Sequence, residues 1–204
     1  MKHTFITSLL AVAVFSSCSN SNDSKPMVKE SSTSESPRLE GEALIKRGEY
    51  IVTTGSCHDC HSPKNLTPMG PKVDSTKMLS GHPADMPIPP VNPDALKPGG
   101  WVLMAPDITS FVGPWGISYA ANLTPDSATG IGAWTEDVFI KALRTGKHLG
   151  QENGRPIMPP MPWEFIGKMT DEDLSAVYAY LRTLPAITNR VPAPVPPNEA
   201  VKGN

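Results

Sequence analysis

Cys57-His58-Asp59-Cys60-His61 is the stretch that decides how this 204-residue chain is organised. Its C-x-x-C-H spacing is typical of a covalent haem attachment site. In such a site two thiols form thioether bonds with the porphyrin vinyl groups, and the following histidine ligates the iron. A helical turn puts Cys57 and Cys60 on one side and lets His61 reach beneath the ring. The motif therefore predicts one covalently attached haem c, held by Cys57 and Cys60 and ligated by His61.

Two other kinds of site share part of this pattern. A structural zinc site needs four ligands, usually from two separated pairs, and the chain has no second C-x-x-C and no H-x-x-x-H. A thioredoxin-like C-x-x-C is expected near a β-α-β pattern, which the sequence lacks. We therefore favour haem over zinc or a redox-active cysteine pair.

The composition narrows the class of protein further. The chain has 18 Lys and Arg against 20 Asp and Glu, so it carries no basic surface charge of the kind that nucleic-acid binding requires. Its 23 prolines fix φ and remove backbone donors, which predicts little regular structure. With Cys57 and Cys60 assigned to the haem, only Cys18 remains of the three cysteines.

Residues 1–17 have the features of a lipoprotein-type signal peptide. Lys2 precedes an apolar run of 11 residues from Phe5 to Phe15, and small residues stand directly before Cys18. That run is short for a membrane span. We expect Cys18 to be lipidated and to become the mature N-terminus; the alternative is an ordinary soluble periplasmic protein.

The segment from 18 to 38 is rich in serine and poor in apolar residues. Such a chain cannot bury enough apolar surface to fold, which predicts a flexible tether with an r.m.s. reach of about 25 Å. We expect an exported protein of the bacterial periplasm or cell envelope, anchored to a membrane through its lipid, whose folded part moves beside membrane-bound redox partners.

Three helices are predicted in the remainder of the chain. The first runs from Leu39 to near Gly55 and leads into the haem motif. A second is capped by Thr135 and ended by Gly146. The third begins at Thr170 with a capping-box-like pattern and is stopped by Pro185. After it, the proline-rich tail 186–204 is expected to lie extended on the surface or to be mobile.

Residues 62–119 form a long insertion with no sustained helical or alternating period. Between residues 62 and 133 lie 12 of the 23 prolines, and we interpret this stretch as irregular chain wrapped around the core. Buried aromatic surface would fix it in place, and the candidates are Trp101, Phe111, Trp115 and Tyr119. His82 is expected to be a surface or locally hydrogen-bonded residue rather than an iron ligand, and His148 is also given little weight.

The segment between the second and third helices carries the candidates for a sixth iron ligand, Met158 and Met161, both flanked by prolines. Prolines favour an extended polyproline strand, which would point both methionines the same way about 9 Å apart. A thioether is a soft donor that raises the reduction potential of haem iron. The alternative is that both methionines fill gaps in the core.

Taken together, these motifs resemble a c-type cytochrome. Tyr50, the Cys57–His61 motif, Asn122–Asp126 with Gly130–Trp134, and Met161-Pro162-Trp163 with Thr170–Leu184 are most similar to the cytochrome subunits of membrane-bound bacterial alcohol and gluconate dehydrogenases. The resemblance covers residues 41–61 and 120–185 and implies Met161 as the axial methionine, with Met158 as runner-up. Those subunits commonly carry several haems, whereas this chain has one C-x-x-C-H motif.

From the residues and the resemblance we expect an all-α, cytochrome c-like fold across residues 39–185, built around one covalent haem, with the insertion at 62–119. The expected function is one-electron transfer between exported or membrane-bound redox partners, such as a respiratory or dehydrogenase complex, without catalysis by the chain itself. The alternatives are a haem enzyme or gas sensor with an open sixth position, and an electron-transfer subunit within a dehydrogenase complex.

Overall fold

The structure is a computed structural model that describes residues 39–200. The predicted signal peptide 1–17, the predicted lipidation site Cys18, the predicted tether up to residue 38, and the last four residues of the tail lie outside the described residues. Within residues 39–200, no helix is long and apolar enough to cross a membrane.

Helices, short strands and long connections alternate along the described chain. The α-helices are α1 (Gly41–Thr54), α2 (Cys57–His61), α3 (Glu136–Thr145), α4 (Trp163–Ile166), α5 (Asp171–Leu181) and α6 (Pro197–Ala200). The strands are β1 (Lys64–Thr67), β2 (Gly70–Val73), β3 (Leu103–Met104), β4 (Ser110–Gly113) and β5 (Gly116–Tyr119). Short 3-10 helices cover Pro93–Leu96 and His148–Gly150.

The three predicted helices are confirmed as α1, α3 and α5, and the end signals at Thr135, Gly146 and Thr170 act as expected. The Thr135 hydroxyl accepts a hydrogen bond from the Val138 N–H at 3.3 Å, and Thr170 does the same for Asp173 at 3.1 Å. Gly146 ends α3 in the left-handed conformation, with φ of 64°. α5 ends at Leu181, a few residues before Pro185, so its last turn is shorter than predicted.

α1 and α5 pack closely against each other because α1 contains Gly48. A Cβ atom at this position would lie 1.9 Å from the backbone oxygen of Ala176, a distance at which no side chain fits. The crossing is also bridged at its edge, where Arg47 Nε lies 2.9 Å from a carboxylate oxygen of Asp173. The close packing fixes the orientation of α1 and therefore the position at which α2 begins.

The main core lies among α1, α3, α5 and the loops around α2. Its buried side chains are Val52, Leu79, Ile131, Phe139, Leu143, Leu174 and Leu181. Leu79 comes from the insertion and is fully buried, so the start of the insertion contributes to the main core.

The expectation of an all-α fold holds only in part: helices form the main core, but the insertion contains two small antiparallel sheets. β1 pairs with β2, and a second sheet has the order β3-β4-β5. The β4–β5 hairpin turns through Pro114 and Trp115 between two glycines, and Gly116 has a φ of 98° that favours glycine. The ladders supply backbone partners to chain that prolines keep out of helices, but strands of two to four residues are too short to show an alternating period.

A second, smaller core joins the insertion to the C-terminal tail. Its buried members are Val91, Ile117 and Ala200. Val195 and Ile117 exchange both backbone hydrogen bonds, at 2.8 and 3.0 Å. The tail is thus paired with the fold at Val195, but it is not extended throughout, because α6 (Pro197–Ala200) forms a helical turn that the sequence did not predict.

The four aromatic residues of the insertion do not share the predicted role. Phe111 is only 6% exposed, Trp115 donates from Nε1 to the Ser118 hydroxyl at 3.1 Å, and Tyr119 packs against the second core. Trp101, however, is 85% exposed. The prediction for Trp101 is wrong: this residue lies two positions before β3, the edge strand of the three-stranded sheet, and its side chain is not covered by the other described residues.

Candidate functional site

The C-x-x-C-H motif forms α2, a single helical turn that follows α1 directly. Ser56 between them adopts a left-handed conformation with φ of 58°, which turns the chain sharply at this point. Cys57 and Cys60 are half-buried and are free thiols. Burial raises the pKa of both thiols, so both sulfurs are protonated at neutral pH. α2 thus presents two unpaired thiols at the spacing that thioether attachment needs.

His61 ends α2 with its ring buried and oriented by a backbone carbonyl. The side chain is 8% exposed, and Nδ1 lies 2.8 Å from the carbonyl oxygen of Ala121. A carbonyl only accepts, so Nδ1 carries the proton and Nε2 carries a lone pair. Burial lowers the pKa of His61, which keeps the imidazole neutral, and within residues 39–200 no protein group forms a hydrogen bond with Nε2.

Backbone N–H groups of the insertion form hydrogen bonds with the end of the motif. The Gly81 N–H donates to the carbonyl oxygen of His61 at 2.8 Å, and the Leu79 N–H donates to the hydroxyl of the buried Ser62 at 3.0 Å. These bonds fix the end of α2 against a segment that also reaches the main core through Leu79. The position of the His61 ring therefore depends on the insertion as well as on α2.

A hydrogen-bonded turn on the other side of the ring positions Ala121. The side-chain oxygen of Asn122 accepts hydrogen bonds from the Thr124 N–H at 2.9 Å and its hydroxyl at 2.7 Å. The Leu123 N–H donates to the carbonyl oxygen of Leu79 at 2.8 Å. The turn predicted at Asn122–Asp126 is confirmed, and its rigidity holds the carbonyl that fixes the imidazole tautomer of His61.

The Met158–Met161 segment is a tight turn, not the extended polyproline strand that the sequence predicts. The Pro159–Pro160 peptide bond is cis, and the Met161 N–H donates to the carbonyl oxygen of Met158 at 3.3 Å. The two methionines are therefore closer together than a polyproline strand would place them. Pro162 and α4 follow at once, and the Trp163 ring covers Gly146 at the end of α3.

The structure brings Met161 and Cys57 to the same cluster of side chains. Both are half-buried and pack against the main core. Met158 is also half-buried, but it is not among the described side chains that pack against this core. The surroundings of the two methionines thus differ, although the sequence around them is similar.

The other histidines of the described chain have local partners. His82 is 1% exposed and Nδ1 lies 2.7 Å from the Thr109 hydroxyl, which in turn donates to the Asp107 carboxylate. The sequence predicts that His82 is either on the surface or locally hydrogen-bonded. The structure shows the second of these, because His82 is buried and hydrogen-bonded. The His148 ring makes an edge contact with Trp134, with centroids 5.4 Å apart.

Two parts of the site carry no signal in the sequence. The Ala121 carbonyl is a backbone group, so its residue type says nothing about its role. Lys64 would ordinarily be assigned to solvent, yet it is 8% exposed, and its Nζ donates to the carbonyl oxygen of Asp59 within the motif at 2.5 Å. The contact of Ala121 with His61 and a further bond from Lys64 Nζ to the Asp107 carbonyl oxygen at 3.0 Å join segments 60 and 43 residues apart in sequence.

Comparisons with known proteins show which proteins this chain is similar to. The family model for cytochrome c matches residues 45–185. The chain is 33% identical over 139 residues to the gluconate 2-dehydrogenase cytochrome c subunit of Pantoea cypripedii. It is 31% identical over 139 residues to the cytochrome c subunit of the quinone alcohol dehydrogenase of Gluconobacter oxydans, and 27% identical over 156 residues to the fructose dehydrogenase cytochrome subunit of Gluconobacter japonicus.

These relatives are much longer than the region they share with this chain. The first match covers 68% of this chain and 23% of the relative, the second 68% and 21%, and the third 76% and 24%. The similarity therefore concerns roughly one quarter or less of each relative.

Proposed function

Because this chain belongs to the cytochrome c family, we propose that it is a one-electron carrier that holds a single haem c. One observation carries the proposal. The buried His61 ring donates from Nδ1 to the Ala121 carbonyl at 2.8 Å and so presents an unprotonated Nε2 next to two free thiols. This arrangement of donors is what a haem c with a histidine axial ligand requires.

Each residue of the site has a defined task in this proposal. Cys57 and Cys60 hold the porphyrin through thioether bonds, which prevents loss of the group from a small domain. His61 ligates iron through Nε2, and the Ala121 carbonyl keeps its ring in one tautomer and one orientation. When bound, the haem iron supplies the one-electron couple between ferric and ferrous states.

We assign the sixth ligand to Met161. Its packing against the core cluster that Cys57 also contacts supports this choice over Met158. The turn through Pro159 and Pro160 and the hydrogen bond from the Trp163 N–H to the Met161 carbonyl oxygen at 2.9 Å restrict the backbone on both sides of the residue. A thioether on such restricted chain loses little entropy on ligation.

His61 and Met161 would both ligate a bound haem, which would leave no position at its iron for a substrate. Because the same two residues would hold the group in both oxidation states, little of the chain would have to rearrange during electron transfer. The relatives described above are cytochrome subunits of dehydrogenases, which does not favour the alternative of a haem enzyme or gas sensor with an open sixth position.

The partners follow from the relatives and from the N-terminal sequence. We propose that the electron donor or acceptor is a dehydrogenase or respiratory complex of the bacterial cell envelope. The relatives support this, because they are named as cytochrome subunits of gluconate, alcohol and fructose dehydrogenases. Export by the signal peptide 1–17, lipidation at Cys18 and the serine-rich tether to residue 38 would keep the folded domain at an r.m.s. distance of about 25 Å from its anchor.

A potentiometric titration of the purified holoprotein tests the carrier function. We expect one reversible step that follows the Nernst equation for a single electron, with one haem per chain by quantitative haem assay. A control titration under carbon monoxide, which binds ferrous iron at an open position, is expected to give the same potential. Two redox steps, or a haem content near two, would contradict the assignment of a single haem.

A further inference from the structure

Lys64, the first residue of β1, is a lysine whose charged group lies inside the protein. The residue is 8% exposed. Its Nζ donates to the backbone oxygens of Asp59 at 2.5 Å, Ser62 at 3.0 Å and Asp107 at 3.0 Å. An ammonium group has three N–H donors, so all three are satisfied by carbonyl oxygens.

These three carbonyls place the ammonium group at the haem attachment turn. Asp59 stands between Cys57 and Cys60 in α2, and Ser62 directly follows His61. The third carbonyl, from Asp107, belongs to the loop between β3 and β4. Lys64 therefore bonds the last part of the motif to the insertion and satisfies acceptors that a short helical turn leaves without partners.

The charge of Lys64 is not cancelled by a direct ion pair. Among the described residues no carboxylate oxygen lies within ion-pair distance of its Nζ, since the Asp107 carboxylate instead receives the Thr109 hydroxyl. Burial lowers the pKa of Lys64, and the nearby carboxylates of Asp107 and Asp59 act in the opposite direction. Burying an ammonium group without an ion pair costs free energy. The three hydrogen bonds to carbonyl oxygens offset part of that cost.

We propose that Lys64 is a positioning residue that holds the Cys57–His61 turn in place, and that its buried positive charge raises the reduction potential of the haem. This inference rests on the proposed function. Oxidation adds a positive charge at the iron, and a fixed neighbouring cation disfavours that charge. If the ammonium group and the iron are on the order of 10 Å apart and the effective dielectric constant is near 20, one charge changes the ferric/ferrous equilibrium constant on the order of tenfold.

The test replaces Lys64 in the full-length holoprotein and compares midpoint potentials. Lys64→Met keeps the length of the side chain without donors or charge, Lys64→Gln keeps hydrogen-bond donors without charge, and Lys64→Arg keeps the charge. Lys72→Met is the matched control, because Lys72 is an exposed lysine of β2 that pairs with Asn65 in the same hairpin and its charge is screened by solvent.

We expect Lys64→Met and Lys64→Gln to lower the ferrous-to-ferric ratio at a fixed ambient potential on the order of tenfold, a shift of about 59 mV for one electron. Lys64→Arg and Lys72→Met should stay within about twofold of wild type. If Lys64→Met and Lys64→Gln accumulate without covalent haem while Lys64→Arg and Lys72→Met retain it, the positioning role is supported, because the turn then requires a cation at this site.

Two results would overturn the inference. One is a potential in Lys64→Met or Lys64→Gln holoprotein that equals the wild-type value, and the other is an equal change in the Lys72→Met control. Failure of the proposed function is a separate result, since it would appear in the wild-type protein as the absence of covalent haem or of a one-electron step.

Discussion

Replacing Cys57 and Cys60 together by alanine is expected to abolish covalent haem attachment and to leave a chain that no longer unfolds cooperatively. Both thiols are free and lie in α2. Because Cys57 and Cys60 are the two cysteines among the described residues, no other described cysteine can replace them. Burial of several hundred Å² of porphyrin at about 25 cal/mol per Å² contributes on the order of 10 kcal/mol as an upper estimate. That is as large as the whole stability of a typical domain, about 5–15 kcal/mol.

Mass spectrometry after extraction with acidified organic solvent measures the covalent bond, and far-UV circular dichroism during thermal unfolding measures cooperativity. The matched control is Cys18→Ser, which removes the third cysteine of the chain and should leave the haem covalently bound. A Cys57→Ala, Cys60→Ala double variant that keeps its haem after extraction, or that unfolds with the wild-type free energy, would show that the group is not held as proposed.

Replacing Met161 by alanine is expected to lower the reduction potential by about 0.1–0.3 V, within the range of roughly 0.8 V that axial ligands cover. Loss of the thioether removes the soft donor that favours ferrous iron and opens the sixth position to water or carbon monoxide. Because Met161 is half-buried at the edge of the main core, truncation should also cost stability, on the order of 1–3 kcal/mol.

Met158→Ala is the matched control, since Met158 precedes Met161 in the same proline-flanked turn. Potentiometry and carbon monoxide binding by the reduced protein are expected to be unchanged in this variant. If Met158→Ala instead shows the large fall in potential and Met161→Ala does not, the assignment of the two methionines must be exchanged. Equal behaviour of both variants would argue against methionine ligation altogether.

Features that depend on neighbouring residues could be predicted from the sequence. The spacing of Cys57, Cys60 and His61 specifies the attachment chemistry within one turn, and Thr135, Gly146 and Thr170 mark helix ends through bonds to residues a few positions away. These local signals located α1, α3 and α5. They also identified the turn that begins at Asn122. The residue before it, Ala121, orients His61 through its backbone carbonyl.

Features that depend on contacts between distant segments could not be predicted. The pairing of Val195 with Ile117 joins positions 78 residues apart by number, and the burial of Lys64 depends on the carbonyl of Asp107. The short strands of the insertion lack an alternating pattern because each is only two to four residues long. The β4–β5 turn did carry a local signal, since Pro114 is the second of the four residues from Gly113 to Gly116, a turn position that favours proline.

The Met158–Met161 segment adopts a conformation that its sequence does not predict. Consecutive prolines favour an extended strand when only their φ preference is considered. The hydrogen bond from the Met161 N–H to the Met158 carbonyl oxygen at 3.3 Å closes the segment into a turn instead. The two methionines consequently differ in their contacts, and packing against the main core distinguishes Met161.

The central claim is that one haem c is bound by Cys57 and Cys60 with His61 and Met161 as its two axial ligands. The absorption spectrum of the oxidised wild-type holoprotein tests it most directly, combined with exposure of the reduced protein to carbon monoxide. We predict the weak long-wavelength band of methionine sulfur on ferric iron and no change in the reduced spectrum with carbon monoxide. A spectrum without that band, together with rapid carbon monoxide binding, would contradict the claim and indicate an open sixth position.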